Sequence, residues 1–395
     1  MLLDPRLDAN ERFRERRRRA QRRRRFRRFA LLAALVVVAA GLALGTRPLT
    51  SSEPAAEFPA VPPSAPPAPE RAPTGLEPRA APSELRGVHV AMPLASRFEA
   101  YVRMRKLGLN TIEIDVKDEN GEVAFTAPAV PLARRIGASR PYYDPASVAR
   151  RAEQSGLYLI GRVVVFEDPL LAERLPGLAI HSRAGGVWRS GTGLGWGNPY
   201  DERVWKYNVD VAEAAVRAGF DEIMFDYVRF PTDGNLAQAA FPGRVRESRT
   251  RTMARFLTYA TRRLHPLGAQ VSVAVFGLAA SRDLGVGQKP GALASLVDAL
   301  YPMVFPSHYP RGALGLAAPE AHPAQAVARS LAAFRQALRG RPVRLVPWLQ
   351  DFSLVRSYSA ADVRAEIRAA RSFGAQGFLL WNPSGRYTAR ALGSR

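Results

Sequence analysis

The stretch FDYVRFP contains the carboxyl group with the clearest chemical potential in this sequence. Asp226 follows an apolar run, and Arg229 follows three residues later, so a neighbouring cation should favour the ionised form of Asp226. Cleavage of a glycosidic bond needs two carboxyl groups that face one bond, one protonated as acid and one ionised as nucleophile or base. Asp226 is therefore the candidate nucleophile or base.

The acid partner of Asp226 must come from another part of the chain. Four acidic residues are expected at or just beyond the ends of apolar strands, and we rank them in the order Asp351, Asp118, Asp115 and Glu167. The sequence favours Asp351 as the acid and leaves the other three open.

Charged residues also alternate with apolar ones inside the stretch TIEIDVK. Side chains alternate between the two faces of a strand, so Glu113, Asp115 and Lys117 should point into the fold while the Ile and Val residues face helices. The same alternation along the predicted strand 158–165 places Arg162 on the inward face. Buried charges are costly unless they are paired, so a buried ion network of Arg162 with Glu113 or Asp115 that merely fills the interior is an equally good interpretation.

A long loop between residues 166 and 200 contains aromatic and amide side chains of the kind that stack on sugar rings and bond to them. Trp196, Asn198 and Tyr200 are the candidates in this loop, and a self-packed surface loop is the alternative. The full set of candidate substrate-binding residues is Lys117, Arg162, Glu167, Trp196, Asn198, Tyr200, Arg229, His308, Gln350, Trp381 and Asn382.

Several classes of chemistry are disfavoured by what the sequence lacks. The chain has no Cys, which excludes disulfides, thiolate metal sites and a Cys nucleophile. Its five His form no HExxH or HxxxH pair, and no GxSxG elbow occurs, so a zinc hydrolase and a serine esterase are disfavoured. The glycines near residue 193 do not follow a strand and open a helix, which argues against a dinucleotide site. We expect no metal and no cofactor.

Short β-branched runs alternate with helix-length segments beyond residue 85, and this order predicts an α/β fold, the (β/α)8 or TIM barrel. A doubly wound open sheet is the alternative. The predicted strands are 87–92, 111–117, 158–165, 222–228, 270–276, 299–305, 343–349 and 377–381. The predicted helices are 97–107, 145–154, 201–218, 247–264, 291–297, 324–338 and 360–373. In such a barrel the reactive groups lie at the carboxyl ends of the strands.

The first 84 residues have a different composition. Residues 1–28 hold 13 Arg and four acidic residues, residues 29–45 form an uncharged apolar stretch, and residues 46–84 contain 11 Pro. This order predicts a basic cytoplasmic leader, one transmembrane or signal-anchor helix and a disordered linker, with residues 85–395 as an extracytoplasmic barrel domain at the cell membrane. Secretion after signal cleavage is the alternative. We expect no nucleic-acid partner.

The motif series along the folded part resembles a known bacterial family. The motifs are RGVHVAM, LGLNTIEIDVKDENGEV, GLYLIGRVVVFEDPLLA, WGNPYDERVWKYNVDVAEAAVRAGFDEIMFDYVRFP, YPMVFPSHYP, PWLQDF and GFLLWNPSGRYT, between residues 85 and 388. They are similar to a glycosyl hydrolase domain long classed as a domain of unknown function. This resemblance implies a TIM barrel distantly similar to the α-amylase and α-galactosidase groups, in which the strand-four aspartate, here Asp226, is the nucleophile. The α-amylase acid at the end of strand five has no counterpart in Val275-Phe276-Gly277.

Together these observations predict a membrane-tethered glycoside hydrolase that acts on an envelope or extracellular polysaccharide. A non-catalytic carbohydrate-binding or envelope-scaffolding protein on a degenerate barrel is the main alternative. A hydrolase of anionic polymers is a third hypothesis, suggested by the formal net charge of +22 and weakened by the Arg bias of the whole chain.

Overall fold

Eight parallel strands pair in chain order and close into a barrel in the computed structural model, which describes residues 75–243 and 247–393. The strands are β1 (Leu85–Val90), β2 (Thr111–Lys117), β3 (Tyr158–Val164), β4 (Glu222–Asp226), β5 (Gln270–Phe276), β6 (Ala299–Val304), β7 (the two segments Arg344–Leu345 and Trp348–Gln350) and β8 (Gly377–Trp381). The ring closes because β8 pairs with β1 and β7 pairs with both β6 and β8. The prediction of a (β/α)8 barrel is confirmed, and the open sheet is wrong.

Helices connect the strands on the outside of this ring. Within the described residues they are α1 (Phe98–Arg103), α2 (Pro131–Arg135), α3 (Pro145–Gln154), α4 (Pro169–Arg174), α5 (Glu202–Arg217), α6 (Arg249–Leu264), α7 (Pro290–Leu293), α8 (Pro323–Ala337) and α9 (Ala360–Ser372). Phe225 of β4 packs against Phe256 of α6 with ring centroids 5.3 Å apart, which shows how the outward face of a strand meets the helix layer.

The local sequence explains where the longer helices begin and end. The Asp201 and Ser248 side chains accept bonds from the first-turn amides of α5 and α6, and Ser359 with Asp362 forms a capping box at α9. The five glycines that precede strands all have positive φ, a conformation that stops a helix and favours glycine: Gly108, Gly156, Gly219, Gly268 and Gly374.

Three predicted elements differ from the structure by more than two residues at one end or by a break. The predicted helix 97–107 is α1 followed by a 3₁₀ turn at Met104–Leu107, and the predicted helix 291–297 is the single turn α7. The predicted strand 343–349 is interrupted between its two segments, at residues 346 and 347. Pro347 has no N–H to give to a neighbouring strand, which accounts for the break.

The barrel interior is filled in layers. At the amino ends of the strands, Glu222 accepts bonds from Tyr158 (2.9 Å), Ser272 (2.6 Å) and Arg344 (3.0 Å). Apolar side chains of the middle layer, among them Met224 and Trp348, lie above it. Polar side chains reappear at the carboxyl ends.

The predicted leader, the apolar stretch 29–45 and most of the Pro-rich linker lie outside the described residues. Across residues 75–243 and 247–393, no helix combines the length and the apolar character needed to cross a bilayer.

Candidate active site

Five side chains from the first four strands form a line of alternating charge at the carboxyl end of the barrel. His89 of β1 bonds to Glu113 of β2 through Nδ1 and Oε2 at 2.6 Å, and its Nε2 lies 4.0 Å from Asp115 Oδ2. Arg162 of β3 then joins Asp115 to Asp226 of β4. All five residues are at most 6% exposed. The inward orientation predicted for Glu113, Asp115, Arg162 and Asp226 is confirmed.

Asp226 is held on both of its carboxylate oxygens. Arg162 donates to Oδ2 from Nε (2.9 Å) and from Nη2 (2.7 Å), and the backbone N–H of Tyr227 donates to Oδ1 (2.7 Å). Tyr227 has φ of 54°, a left-handed conformation that is uncommon for a bulky residue and is found at functional turns. Every bond to Asp226 comes from a donor, which suits an ionised carboxylate with a fixed orientation.

Arg162 is the hub of this site. Besides Asp226, its Nη1 binds Asp115 Oδ1 at 2.7 Å and lies 3.7 Å from Glu119 Oε2, while its guanidinium lies 5.8 Å from the ring centroid of Trp348. Burial opposes the charge of Arg162, but the carboxylates of Asp226 and Asp115 outweigh it and raise its pKa well above the usual value. The sequence placed Arg229 as the cation of Asp226, but the guanidinium bonded to Asp226 is that of Arg162.

The His89–Glu113 pair lies next to Asp115, the acidic partner of Arg162. Burial disfavours the imidazolium of His89, yet the charges of Glu113 and Asp115 raise its pKa. Burial also raises the pKa of Glu113, and the bond to His89 opposes that rise. The 2.6 Å contact is a hydrogen bond between Nδ1 of His89 and Oε2 of Glu113.

His89, Glu113 and Asp115 could together offer three ligand atoms to a divalent cation, since these atoms lie within 4.8 Å of one another. A guanidinium already binds Asp115 at 2.7 Å, and its positive charge opposes a second cation at the same carboxylate. We therefore describe the group as part of the charge network.

Asp118 shapes the loop that follows β2. Its Oδ1 accepts from the backbone N–H groups of Asn120 and Glu122, both at 3.0 Å, and its Oδ2 accepts from the Asn120 side chain at 2.6 Å. Burial and the nearby charges of Glu119 and Asp115 raise the pKa of Asp118 to about 8. The structure thus places this candidate acid as the organiser of a tight turn.

Aromatic rings cover the opposite side of the barrel mouth, above β6, β7 and β8. Phe305 lies 5.4 Å from Trp381, 5.1 Å from His308 and 6.4 Å from Trp348, measured between ring centroids. Phe352 packs edge-on against Trp381 at 5.2 Å. Trp381 and His308 keep part of their surface open to solvent, whereas the other three rings are buried.

Asp351, the first-ranked acid, forms hydrogen bonds with the C-terminal segment. Its Oδ1 accepts from the Thr388 hydroxyl (2.6 Å) and its Oδ2 from the Thr388 backbone N–H (2.7 Å). Burial raises the pKa of Asp351, and the bonds from Thr388 oppose that rise. Asn382 donates to the backbone carbonyl of Asp351. These contacts fasten the C-terminal segment to the end of β7.

Gln350 also joins elements. Its amide nitrogen donates to the Ser307 hydroxyl and to the Phe352 carbonyl, both at 2.8 Å, and its oxygen accepts from the Ser307 N–H at 3.1 Å. The three bonds fix the loop that follows β6 to the end of β7, and Gln350 is fully buried.

Lys117 does not point into the barrel, so this prediction is wrong. Its Nζ lies 2.9 Å from Asp168 Oδ2, donates to the Val164 carbonyl at 2.7 Å and lies 5.6 Å from the ring centroid of Tyr207 on α5. The pairing of β2 with β3 shifts by one residue between Asp115 and Lys117. This bulge breaks the alternation and turns Lys117 toward the helix layer.

The loop after β3 is folded against the protein. Trp196 is fully buried and its backbone pairs with that of Glu167, which is itself buried. Asn198 donates to the Pro242 carbonyl at 2.7 Å, and Tyr200 packs on Phe230. The predicted wall of free aromatic faces in this loop is wrong for Trp196, because an interior ring has no face to offer a sugar.

Arg229 lies in an aromatic cluster next to this loop. Its guanidinium is 4.6 Å from the Tyr227 ring centroid, 5.1 Å from Trp196 and 4.9 Å from Phe276. Such cation–π packing joins Tyr227 to Trp196 and Phe276 through one guanidinium.

Two residues of the site were missed from the sequence. His89 lies in the predicted first strand with the parity of an inward residue, so the alternation rule could have found it. Glu119 follows β2 in a loop, where no periodicity applies, and its position next to Arg162 depends on the turn that Asp118 forms.

Comparison with known proteins identifies the family to which the chain belongs. Residues 87–387 match the family model described as "Putative glycosyl hydrolase domain". A hypothetical protein from Ruminiclostridium thermocellum is 32% identical, with 47% of this chain and 96% of that chain covered and a TM-score of 0.43. No protein of curated function matches the chain.

Two glycosidase structures share the fold. The PgaB (BpsB) glycoside hydrolase domain from Bordetella bronchiseptica is 14% identical over 76% of this chain and 95% of that chain, with a TM-score of 0.55. The GH20 exo-β-N-acetylglucosaminidase from Vibrio harveyi is 14% identical over 78% of this chain and 53% of that chain, with a TM-score of 0.50. At these identities the similarity shows the barrel fold alone.

Proposed function

Because the chain belongs to a family of glycosyl hydrolase domains, we propose that it hydrolyses glycosidic bonds of an envelope or extracellular polysaccharide with a pair of carboxyl groups, one of which is Asp226. The observation that carries this proposal is the attachment of Asp226 to Arg162, which also contacts two further acidic residues. A glycosidase needs one ionised carboxylate in a fixed orientation and a second carboxyl group within about 5–9.5 Å. The guanidinium of Arg162 fixes the orientation of Asp226 and lies next to two further acidic side chains, so it supports both requirements.

The position of Asp226 in the barrel supports the same function. Asp226 ends β4 at the carboxyl face of the barrel, the face on which TIM-barrel enzymes carry their active sites. Trp381 and His308 flank this face with partly exposed rings. A flat, partly exposed indole suits an apolar face of a sugar ring, and Trp381 is our candidate for that contact.

The role of Asp226 is tested by Asp226→Asn in the full-length chain. Substrates are a panel of 4-nitrophenyl α- and β-glycosides and bacterial polysaccharides, with release of nitrophenol or reducing ends as the readout. We expect the variant to lose on the order of 10²–10⁴-fold in kcat/KM, because Asn offers neither a nucleophile nor a base. Asp283→Asn, an exposed carboxyl with a relative side-chain accessibility of 58% beyond β5, is the matched control.

The outcomes separate the candidate functions. Full turnover by Asp226→Asn would remove this residue from the mechanism. Binding of a polysaccharide by a chain that hydrolyses no member of the panel would favour the alternative, a carbohydrate-binding or scaffolding protein.

We also propose that residues 29–45 anchor the chain in the cell membrane with the barrel outside the cytoplasm. The apolar stretch preceded by 13 Arg supports this orientation, because basic residues stay on the cytoplasmic side. Retention of the chain in membranes after alkaline extraction, with digestion by external protease, is expected. Release of a shorter soluble chain would support secretion after cleavage.

A further inference from the structure

We propose that residues 75–84 form an arm that closes the amino end of the barrel, that Arg79 locks this arm in place, and that the arm opens without unfolding of the barrel. These ten residues form neither helix nor strand and directly precede β1. Their contacts lie at the amino ends of β2 to β5, the face opposite to the one that holds Asp226.

Arg79 attaches the arm to the barrel through four hydrogen bonds. Its backbone N–H donates to Asp221 Oδ1 at 2.8 Å, and its side chain donates to Oδ1 from Nε at 3.0 Å and to Oδ2 from Nη2 at 2.6 Å. Nη2 also donates to the Leu157 carbonyl. Asp221 precedes β4 and Leu157 precedes β3, so one side chain joins the arm to two strands. Such paired bonds between a guanidinium and a carboxylate are strong and fix the orientation of both groups.

The Asp221 carboxylate depends on the arm in turn. Its side chain is 1% exposed, whereas that of Arg79 is 33% exposed. Asp221 Oδ2 also accepts from the Leu159 N–H at 2.8 Å, which fixes the carboxylate at the start of β3. Opening of the arm would leave this buried carboxylate without the cation that now binds it, and an unpaired buried charge is costly. The Arg79–Asp221 pair therefore favours the closed position.

Apolar side chains of the arm fit spaces that glycines leave at the barrel surface. A Cβ at Gly219 would lie 2.6 Å from Leu76 Cδ1, and a Cβ at Gly268 would lie 3.5 Å from Pro78 Cδ. Ala81 packs against the apolar cluster that fills the barrel interior. The arm therefore covers apolar surface as well as a charge.

The arm and β1 differ in how they are held. β1 pairs with β2 on one side and with β8 on the other, whereas residues 75–84 pair with no strand. The Glu84 carbonyl accepts from the Asn110 side chain at 2.9 Å, one residue before β1 begins. A segment outside the strand ladder opens at a lower free energy than the sheet itself. We therefore place the hinge at Glu84.

A single introduced thiol can report on this opening, because the chain has no Cys. In the full-length chain, Ala81→Cys places a thiol at a half-buried position of the arm, and Ala80→Cys places one at the exposed neighbouring position. Reaction with N-ethylmaleimide is followed by mass spectrometry. We expect Ala81→Cys to react at least about tenfold more slowly than Ala80→Cys, since the closed arm withholds the thiol from the reagent.

Substitutions in the pair should then release the arm. Added to Ala81→Cys, Arg79→Met should raise the reaction rate about tenfold or more, because the charge-assisted bonds are lost. Asp221→Asn keeps an oxygen for the Leu159 N–H and should give a similar rise, and both changes together should exceed the larger single rise by less than about twofold. Glu77→Gln changes an exposed charge of the arm and should leave the rate unchanged.

Urea unfolding followed by circular dichroism shows whether the barrel stays folded, and we expect one cooperative transition in every variant. Equal rates for Ala81→Cys and Ala80→Cys would show that the arm is not closed. An unchanged rate in Arg79→Met, or a rise in Glu77→Gln equal to that in Arg79→Met, would overturn the role of Arg79. Loss of the cooperative transition in Arg79→Met would contradict an arm that opens separately from the barrel.

Discussion

Removal of Arg162 should destabilise the barrel more than any substitution on its surface. This side chain is 7% exposed and makes three short bonds to two carboxylates: 2.7 and 2.9 Å to Asp226, and 2.7 Å to Asp115. In Arg162→Met a side chain of similar length replaces the guanidinium, so both carboxylates stay buried without their cation. Loss of one partner of a buried ion pair costs about 3–5 kcal/mol, and most of that cost is the unpaired charge that remains.

A double-mutant cycle with Asp226→Ala isolates the pair from the cavity that each substitution leaves. Asp226→Ala alone should cost about 1–3 kcal/mol, because Arg162 keeps Asp115 as a partner. In the double variant the unpaired charge at position 226 is absent, so its cost should be smaller than the sum of the single costs by about 2–3 kcal/mol.

Urea unfolding followed by tryptophan fluorescence and by circular dichroism measures these differences. With a slope of roughly 3 kcal/mol per molar urea, a loss of 3 kcal/mol moves the midpoint by about 1 M, and coincident transitions justify a free energy. The exposed pair Arg151–Glu99 provides the control, and solvent screening should leave its coupling too small to resolve. A coupling between Arg162 and Asp226 as small as that of the control would refute the assignment of Arg162 as the hub.

Two further predictions concern the loops that carry the site. The pKa of Asp118 is raised from 3.8 to about 8 in the folded state, so the free energy of unfolding should fall as the pH rises between these two values. Urea titrations of Asp118→Asn between pH 5 and 8.5 should show a smaller fall. An equal dependence of the free energy of unfolding on pH in the variant and the unmodified chain would contradict the assignment. Thr388→Val removes the hydroxyl that donates to Asp351, so we expect the free energy of unfolding to fall by about 1–3 kcal/mol in the same assay. A urea midpoint equal to that of the unmodified chain would show that this bond does not fasten the C-terminal segment.

The strand interiors were predictable from the sequence because one rule governs them. Alternation along a strand decides which side chains face inward, and it placed Asp115, Arg162 and Asp226 correctly. Counted along the first strand from Gly87 and Val88, the same alternation also assigns His89 to the inward face. The rule depends only on an unbroken pleat, so it needs no knowledge of the rest of the chain.

The same rule failed where the pleat is broken. A bulge between Asp115 and Lys117 moved the lysine to the helix layer, and nothing in TIEIDVK marks that position. The loops were harder still, since the contacts of Trp196 and Asp351 join segments that are far apart in the chain. Long-range contacts of this kind depend on loop conformation, which residue type alone does not specify.

The two polar layers of this barrel differ in how the charges of their carboxyl groups are compensated. At the amino end, Glu222 is fully buried and receives bonds from two hydroxyls and one guanidinium, so its charge is compensated within the protein. At the carboxyl end, four carboxyl groups share one guanidinium and one imidazole, and one of them, Glu119, remains partly open to solvent. An excess of carboxyl groups over cations means that at least one of them retains a proton more readily than an isolated acid would. The proposed hydrolase function requires a transferable proton beside a fixed carboxylate, and an excess of carboxyl groups over cations supports that proposal, whereas a structural ion network needs no such excess.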